Sequence, residues 1–255
     1  MTALVLDCDG VLADTERHGH LPAFNATFEK FGLPVRWSED DYAEKLRIGG
    51  GKERMASLFD DPAFAAATGG SDRTDQLRTW HRAKTDFFLQ LVAQGRIPAR
   101  PGIARIITDA LQAGWTVAVA STSAADSVRA VLANAVGGAT AERVPVFAGD
   151  IVPAKKPDPA IYRLTVDRLG LDPAETLVVE DSRNGLLAAT RAGLGCLVTV
   201  NGYTRDEDFS EALLVVSELG DPGRPPVDVL ADRCEARPGP YLTLDDLRAC
   251  LEAQR

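Results

Sequence analysis

The chain has 255 residues, 45% apolar and 25% charged, and its 28 basic against 37 acidic side chains leave a net charge of −9. That length can bury a sizeable core in one domain or two, and the negative balance argues against nonspecific binding to nucleic acid or to an anionic membrane. No apolar run approaches the about 18 residues of a transmembrane helix and no basic-then-apolar leader opens the chain. Four scattered cysteines, Cys8, Cys196, Cys234 and Cys250, form no C-x-x-C pair, so they read as reduced thiols of a cytoplasmic protein.

The first predicted element is a buried parallel strand at Leu4-Val5-Leu6, an apolar run with β-branched content. It runs into Asp7-Cys8-Asp9-Gly10, with Gly10 the expected bend. Ligands of open α/β folds bind just beyond the carboxyl ends of such strands. Two carboxylates this close repel unless a cation or a shared proton intervenes. Mg²⁺ together with a phosphate group is one economical resolution. The plain alternative is a strand end with solvated acids and a turn glycine.

Leu21, Phe24, Phe28 and Phe31 recur at three- and four-residue spacing and predict a helix, with Pro22 in its first turn. Gly49-Gly50-Gly51 breaks the pattern, and a second helix starts near Glu53. Thr68-Gly69-Gly70-Ser71-Asp72 is an expected loop with an N-cap for a third helix over 73–93. Residues 15–95 show no strand pattern, so they read as a separate helical module.

After the loop Arg100-Pro101-Gly102 the pattern becomes strand–helix alternation. Helices are expected at 103–113, 124–135, 159–169 and 184–192, and strands at 116–120, 144–147, 176–179 and 196–200. Such alternation means βαβ units and a parallel sheet, which the isolated first strand must join. The fold class is therefore α/β: a doubly wound, Rossmann-like parallel-sheet core from 1–14 and 96–255, with a helical bundle inserted at 15–95. The C-terminal part is expected to be loop-rich at 220–226 and 237–240, closing with a helix from Leu244 that Thr243 and Asp246 cap.

Three later strands also end in polar residues. Ser121-Thr122-Ser123 offers hydroxyls and backbone amides that can cradle phosphate oxygens, or an ordinary helix N-cap. Lys156, in Lys155-Lys156-Pro157-Asp158-Pro159, is a point charge suited to a phosphate, or a solvated surface lysine. Glu180 and Asp181 end the strand at 176–179 and can complete a metal site with Asp7, or are a solvated pair that starts the next helix.

In this order, at successive strand ends, D-x-D-G, hydroxyl, lysine and E-D resemble the haloacid dehalogenase superfamily of aspartate-nucleophile phosphohydrolases, over essentially the whole chain. The inserted helices look like that superfamily's helical cap. The resemblance implies a Mg²⁺-dependent phosphatase in which Asp7 is the nucleophile and Asp9 the general acid and base. Ser121 and Lys156 would bind the transferring phosphoryl group. Asp7, the Asp9 main-chain carbonyl, Glu180 and Asp181 would ligate the metal. A dehalogenase proper lacks the second aspartate, so Asp9 favours phosphate-ester chemistry.

A closer resemblance lies in Asp14-Thr15-Glu16, His20, Phe24-Asn25, Ile48-Gly49-Gly50-Gly51-Lys52-Glu53-Arg54-Met55, Phe147-Ala148-Gly149-Asp150 and Gly202-Tyr203-Thr204. These are similar to the CbbY-type phosphatases, which remove a phosphate from xylulose-1,5-bisphosphate. Gly50 lets backbone approach a ligand, and Lys52 and Arg54 can hold a non-reacting phosphate, Arg54 bidentately; the plain alternative is a loop entering a solvated helix. Glu16 and His20 would face sugar hydroxyls or serve as packing at the linker, with Thr122 and Ser123 also on the substrate. The partner implied is a small phosphorylated sugar, bound by a monomer. β-Phosphoglucomutases share core and cap, so a phosphosugar mutase is the alternative activity.

Overall fold

The structure, a computed structural model, describes residues 1–68 and 73–254, so the loop glycines and N-cap expected at 69–72 lie outside the described residues. The chain divides into two compact units, one of Met1–Asp14 with Pro98–Arg255 and one of Thr15–Ile97.

The first unit is built on a seven-stranded sheet: β1 Ala3–Leu6, β2 Thr116–Ser121, β3 Val146–Ala148, β4 Thr176–Glu180, β5 Gly195–Thr199, β6 Leu214–Val216 and β7 Val229–Asp232. Their order across the sheet is β3-β2-β1-β4-β5-β6-β7. β1 through β6 pair in parallel, and β7 runs antiparallel to β6. β1 is therefore central, which explains its uninterrupted apolar run: all four of its residues are buried.

The second unit is helical throughout its described elements: α1 Leu21–Lys30, α2 Glu39–Leu46, α3 Gly51–Ala56, α4 Pro62–Ala67 and α5 Arg73–Ala93. Pro22 occupies the first turn of α1, where its missing N–H costs nothing. Phe24 and Phe28 of α1 pack with Trp37 and Tyr42 in one aromatic cluster. α2 was not expected, although Ser38 and Asp41 form its capping box, Asp41 N donating to Ser38 Oγ at 3.1 Å and Ser38 N to Asp41 Oδ2 at 2.9 Å. Its S-x-x-D signature is legible, but only Tyr42 of the eight residues is buried, so no apolar stripe announced it.

The remaining helices are α6 Ile103–Gln112, α7 Ala125–Val136, the four-residue α8 Gly138–Ala141, α9 Ala160–Leu169, α10 Arg183–Arg191 and α11 Leu244–Ala253. All but α8 cover the sheet, and α8 lies against α7 with no residue buried. Ala3, Val5, Val178 and Val198 of the sheet share a core cluster with Ile161 and Tyr162 of α9 and with Leu186, Ala188 and Ala189 of α10. Alternation turns Leu4 and Leu6 to the opposite face. At α11, Asp246 reaches back to the Thr243 N–H at 2.6 Å, the box expected there.

β6 and β7 were not expected, while the loops expected at 220–226 and 237–240 carry no helix or strand. β6 has three residues, too few for any period to show. β7 leaves Val229 and Leu230 exposed, so pairing with β6 holds it rather than an apolar face. Among the described residues no helix is long and apolar enough to cross a membrane.

Candidate active site

From β1 the chain runs outward through β2 to β3, then returns to β4 on the other side of β1. Loops at the C-terminal ends of β1, β2 and β4 diverge at such a switch point and leave a crevice. Asp7 directly follows β1, Ser121 ends β2 and Glu180 ends β4. Asp7 stays in register, its N–H donating to Val179 O at 3.0 Å.

Lys156, from the loop before α9, joins these strand ends. Its Nζ donates to Asp7 Oδ1 at 2.6 Å, to Glu180 Oε1 at 2.6 Å and to Ala120 O at 3.0 Å. Burial would lower this ammonium, but Asp7 and Glu180 together hold it above the usual lysine range. Burial pushes the Asp7 carboxyl up to about 7 against the pull of Lys156, and the charges of Glu180 and Asp9 add to the rise. Asp7, Glu180 and Asp181 are three buried acids against the Lys156 ammonium and, beside Asp181, the Arg100 guanidinium, which leaves the site short of positive charge.

Glu180 is fully engaged. Its Oε1 also accepts from the Tyr162 hydroxyl of α9, and its Oε2 accepts from Asp181 N at 3.2 Å. A Cβ on Gly185 would lie 2.0 Å from the Glu180 carboxylate, so α10 can start here only with a glycine at its third residue. Asp181 is anchored by Asn201, whose Nδ2 donates to Asp181 Oδ2 at 2.7 Å while its Oδ1 accepts from Tyr203 N. Gly10, at φ +76°, could carry no side chain either: a Cβ would meet Asp181 Oδ2 at 2.0 Å. Arg100 donates to the carbonyls of Gly10 at 2.9 Å, Val200 at 2.8 Å and Ser217 at 2.5 Å, tying the loop after β1 to the ends of β5 and β6.

Asp9 is half-buried, and its Oδ2 accepts from the Ser123 hydroxyl. Ser121 Oγ, buried, accepts from Ser123 N at 3.2 Å, with Thr122 half-buried between them. Of the carboxylates expected at a metal, Asp7, Glu180 and Asp181 each bring an oxygen within 4.8 Å of the others. Asp9 lies outside that group by its side chain.

The helical unit holds a second cluster. Arg54 is buried, with Nη1 donating to Tyr42 OH at 2.7 Å and Nε to Lys45 O at 3.1 Å. Glu16 accepts from that same Tyr42 hydroxyl and lies 3.7 Å from Arg54 Nη1. His20 Nδ1 is 2.8 Å from Lys84 Nζ, and its ring stacks on Phe88. Gly50, at φ +94°, turns the chain into α3. Lys52 is exposed. Tyr42 and Lys84 escaped the sequence reading, as did Tyr162, Asn201 and Arg100. For Lys84 the available signal was its place in the apolar stripe of α5, four residues after Trp80 and four before Phe88; its ammonium lies 4.9 and 5.3 Å from the ring centres of Phe24 and Phe88.

The family model for haloacid dehalogenase-like hydrolases matches residues 1–193. A CBBY-like protein of Arabidopsis thaliana is 47% identical over 223 residues, 87% of this chain and 70% of the relative. Protein CbbY of Cereibacter sphaeroides is 42% identical over 211 residues, 82% of this chain and 89% of the relative. Among solved structures, CbbY from Rhodobacter sphaeroides in complex with phosphate, and a mutant of it in complex with xylulose-(1,5)bisphosphate, match with a TM-score of 0.78 at 39% identity, covering 88% of this chain and 97% of theirs.

Proposed function

As the chain belongs to the haloacid dehalogenase-like hydrolases and is a phosphatase of that family, we propose that it removes phosphate from a phosphorylated sugar, xylulose-1,5-bisphosphate or a similar sugar bisphosphate, with Mg²⁺ and through a phosphoaspartate on Asp7. The observation that carries this reading is the meeting of Asp7, Lys156, Glu180 and Asp181 at the carboxyl ends of the central strands, with Asp9 two residues beyond Asp7. The xylulose-(1,5)bisphosphate complex of a 39% identical relative supports the substrate class.

In the first step a carboxylate oxygen of Asp7 attacks phosphorus and the bond to the ester oxygen breaks. Asp9 gives its proton to the departing alkoxide. Lys156 meets the negative oxygens of the transferring group while Glu180 and Tyr162 keep its ammonium in place. In the second step a water attacks the phosphoaspartate and gives its proton to Asp9, which frees Asp7 and restores Asp9.

Hard carboxylate oxygens and an uncompensated negative balance fit an oxygen-seeking divalent cation. Asp7 and Asp181, with the Asp9 carbonyl and Glu180 beside them, would hold Mg²⁺, which supplies charge neutralisation to the phosphoryl oxygens. In the helical unit Gly50, Lys52, Arg54 and Lys84 are the groups for the second phosphate, and Glu16 and His20 for sugar hydroxyls.

The test is phosphate release across a panel of sugar mono- and bisphosphates, with Mg²⁺ and after exhaustive chelation, for the parent chain, Asp7→Asn and Asp9→Asn. Preference for a ketose bisphosphate, loss on chelation, no turnover by Asp7→Asn and a trapped phosphoenzyme or substrate in Asp9→Asn are expected. A tenth of the parent rate in Asp7→Asn removes the nucleophile assignment. A retained bisphosphate that returns as an isomerised sugar phosphate establishes a mutase instead.

A further inference from the structure

Outside the carboxylate cluster, two thiols meet beyond residue 193, where the family match ends. Cys234 Sγ lies 2.8 Å from Cys250 Sγ. Cys250 sits in α11 and is 0% exposed, whereas Cys234 follows β7 and is 8% exposed. The loop that carries Cys234 is held in an unusual shape. Asp232 Oδ1 accepts from Cys234 N at 3.3 Å and from Ala236 N at 3.1 Å, and its Oδ2 accepts from Arg237 N at 2.8 Å. Glu235 at φ +53° and Arg237 at φ +50° occupy the left-handed region that few residues other than glycine adopt. Such strain persists only where surrounding contacts over-determine it. Here the Asp232 carboxylate does so, and the result is a Cys234 sulfur aimed at Cys250.

We propose that Cys234 and Cys250 are a reversible thiol–disulfide pair, oxidised by a low-molecular-weight disulfide of the glutathione class. Cys234, the more exposed of the two, attacks one sulfur of the oxidant as thiolate and expels the other half as a thiol. Cys250 then loses its proton to water and attacks the Cys234 sulfur of the mixed disulfide, expelling the second thiol. Both cysteines lose one electron each, and the small disulfide is reduced to two thiols. The hydrogen bond from Cys250 pulls the Cys234 thiol below its ordinary range, which favours Cys234 as the attacking group. The bond ties the loop after the edge strand β7 to α11, a helix that packs on β4 and β5.

The experiment incubates the full chain with oxidised and reduced glutathione at set ratios, quenches by alkylation, and reads intact mass, tryptic map and Tm. The expected result is paired loss of two thiols, one linked peptide pair containing Cys234 and Cys250, and a Tm higher by about 5–10 °C that dithiothreitol reverses. Cys250→Ser should stop at the first step, with glutathione held on Cys234. Cys234→Ser should leave three thiols reduced at every ratio and show no rise in Tm. Four alkylated thiols at the most oxidising ratio overturn the proposal, as does a bridge or adduct on Cys8 or Cys196 instead. Should Cys250→Ser not fold, Cys234→Ser and the peptide map of the parent chain decide the matter.

Discussion

Lys156 Nζ donates to Asp7 Oδ1 across 2.6 Å, although 149 residues separate the two in the chain. The same ammonium stands 2.6 Å from Glu180 Oε1, so one cation serves two buried carboxylates. A buried ion pair is weak evidence for stability, but breaking one by removing a single partner leaves an uncompensated charge.

Lys156→Met should therefore lose both activity and stability. Turnover should fall by at least about 100-fold, and unfolding free energy by about 3–5 kcal/mol. Kinetics and urea denaturation on one preparation check this. Unchanged stability would mean that Asp7 and Glu180 are solvated after all.

Asn201 holds Asp181 at 2.7 Å without belonging to the carboxylate group itself. Groups that orient a metal ligand typically account for 10–100-fold in metal affinity. Asn201→Ala should weaken Mg²⁺ binding by about that factor in a calorimetric titration. Asn201→Asp should weaken it less than Asn201→Ala, because the added carboxylate attracts the cation even though the hydrogen bond to Asp181 is lost. Equal Mg²⁺ affinity in all three proteins would place Asp181 outside the metal site.

A methyl group on Gly185 would overlap the Glu180 carboxylate. Gly185→Ala should displace Glu180, loosen its hold on Lys156, and destabilise the fold by about 1–3 kcal/mol. A drop in kcat should accompany the loss of Tm. A variant with parent-like kcat and Tm would show that α10 can move away from β4.

Lys52 and Arg54 separate binding from packing in the helical unit. Arg54 is buried on Tyr42 and the Lys45 carbonyl, so Arg54→Ala should lower stability as well as activity. Lys52 is exposed, so Lys52→Ala should leave Tm unchanged. If the two hold a second phosphate, both variants should lower kcat/KM for a bisphosphate, and Arg54→Ala by about 30- to 1000-fold, the equivalent of ~2–4 kcal/mol for a charge-assisted contact. A monophosphate should lose much less. Equal losses on both substrates would return this loop to a purely structural part.

The strand ends were legible because burial is a local property of sequence. Leu4-Val5-Leu6 is apolar whichever strands flank it, and its next residue is Asp7. Ser121 and Glu180 were found in the same way, as polar residues closing apolar runs. Where that signal fails, the reading fails with it. β7 exposes Val229 and Leu230, and α2 buries only Tyr42, so neither carries a period.

By itself the sequence determined the α/β class, the helical insertion and the strand-end acids, since period and run length report which face of each element is buried. Only the tertiary structure decided which polar groups meet. Tyr162 reaches Glu180, Asn201 reaches Asp181, Arg100 gathers the carbonyls of Gly10, Val200 and Ser217, and Cys234 faces Cys250. These contacts depend on the strand order β3-β2-β1-β4-β5-β6-β7 and on where each loop leaves the sheet. A hydrogen bond acts over about 3 Å, and no local pattern of residue types encodes a distance between segments a hundred residues apart.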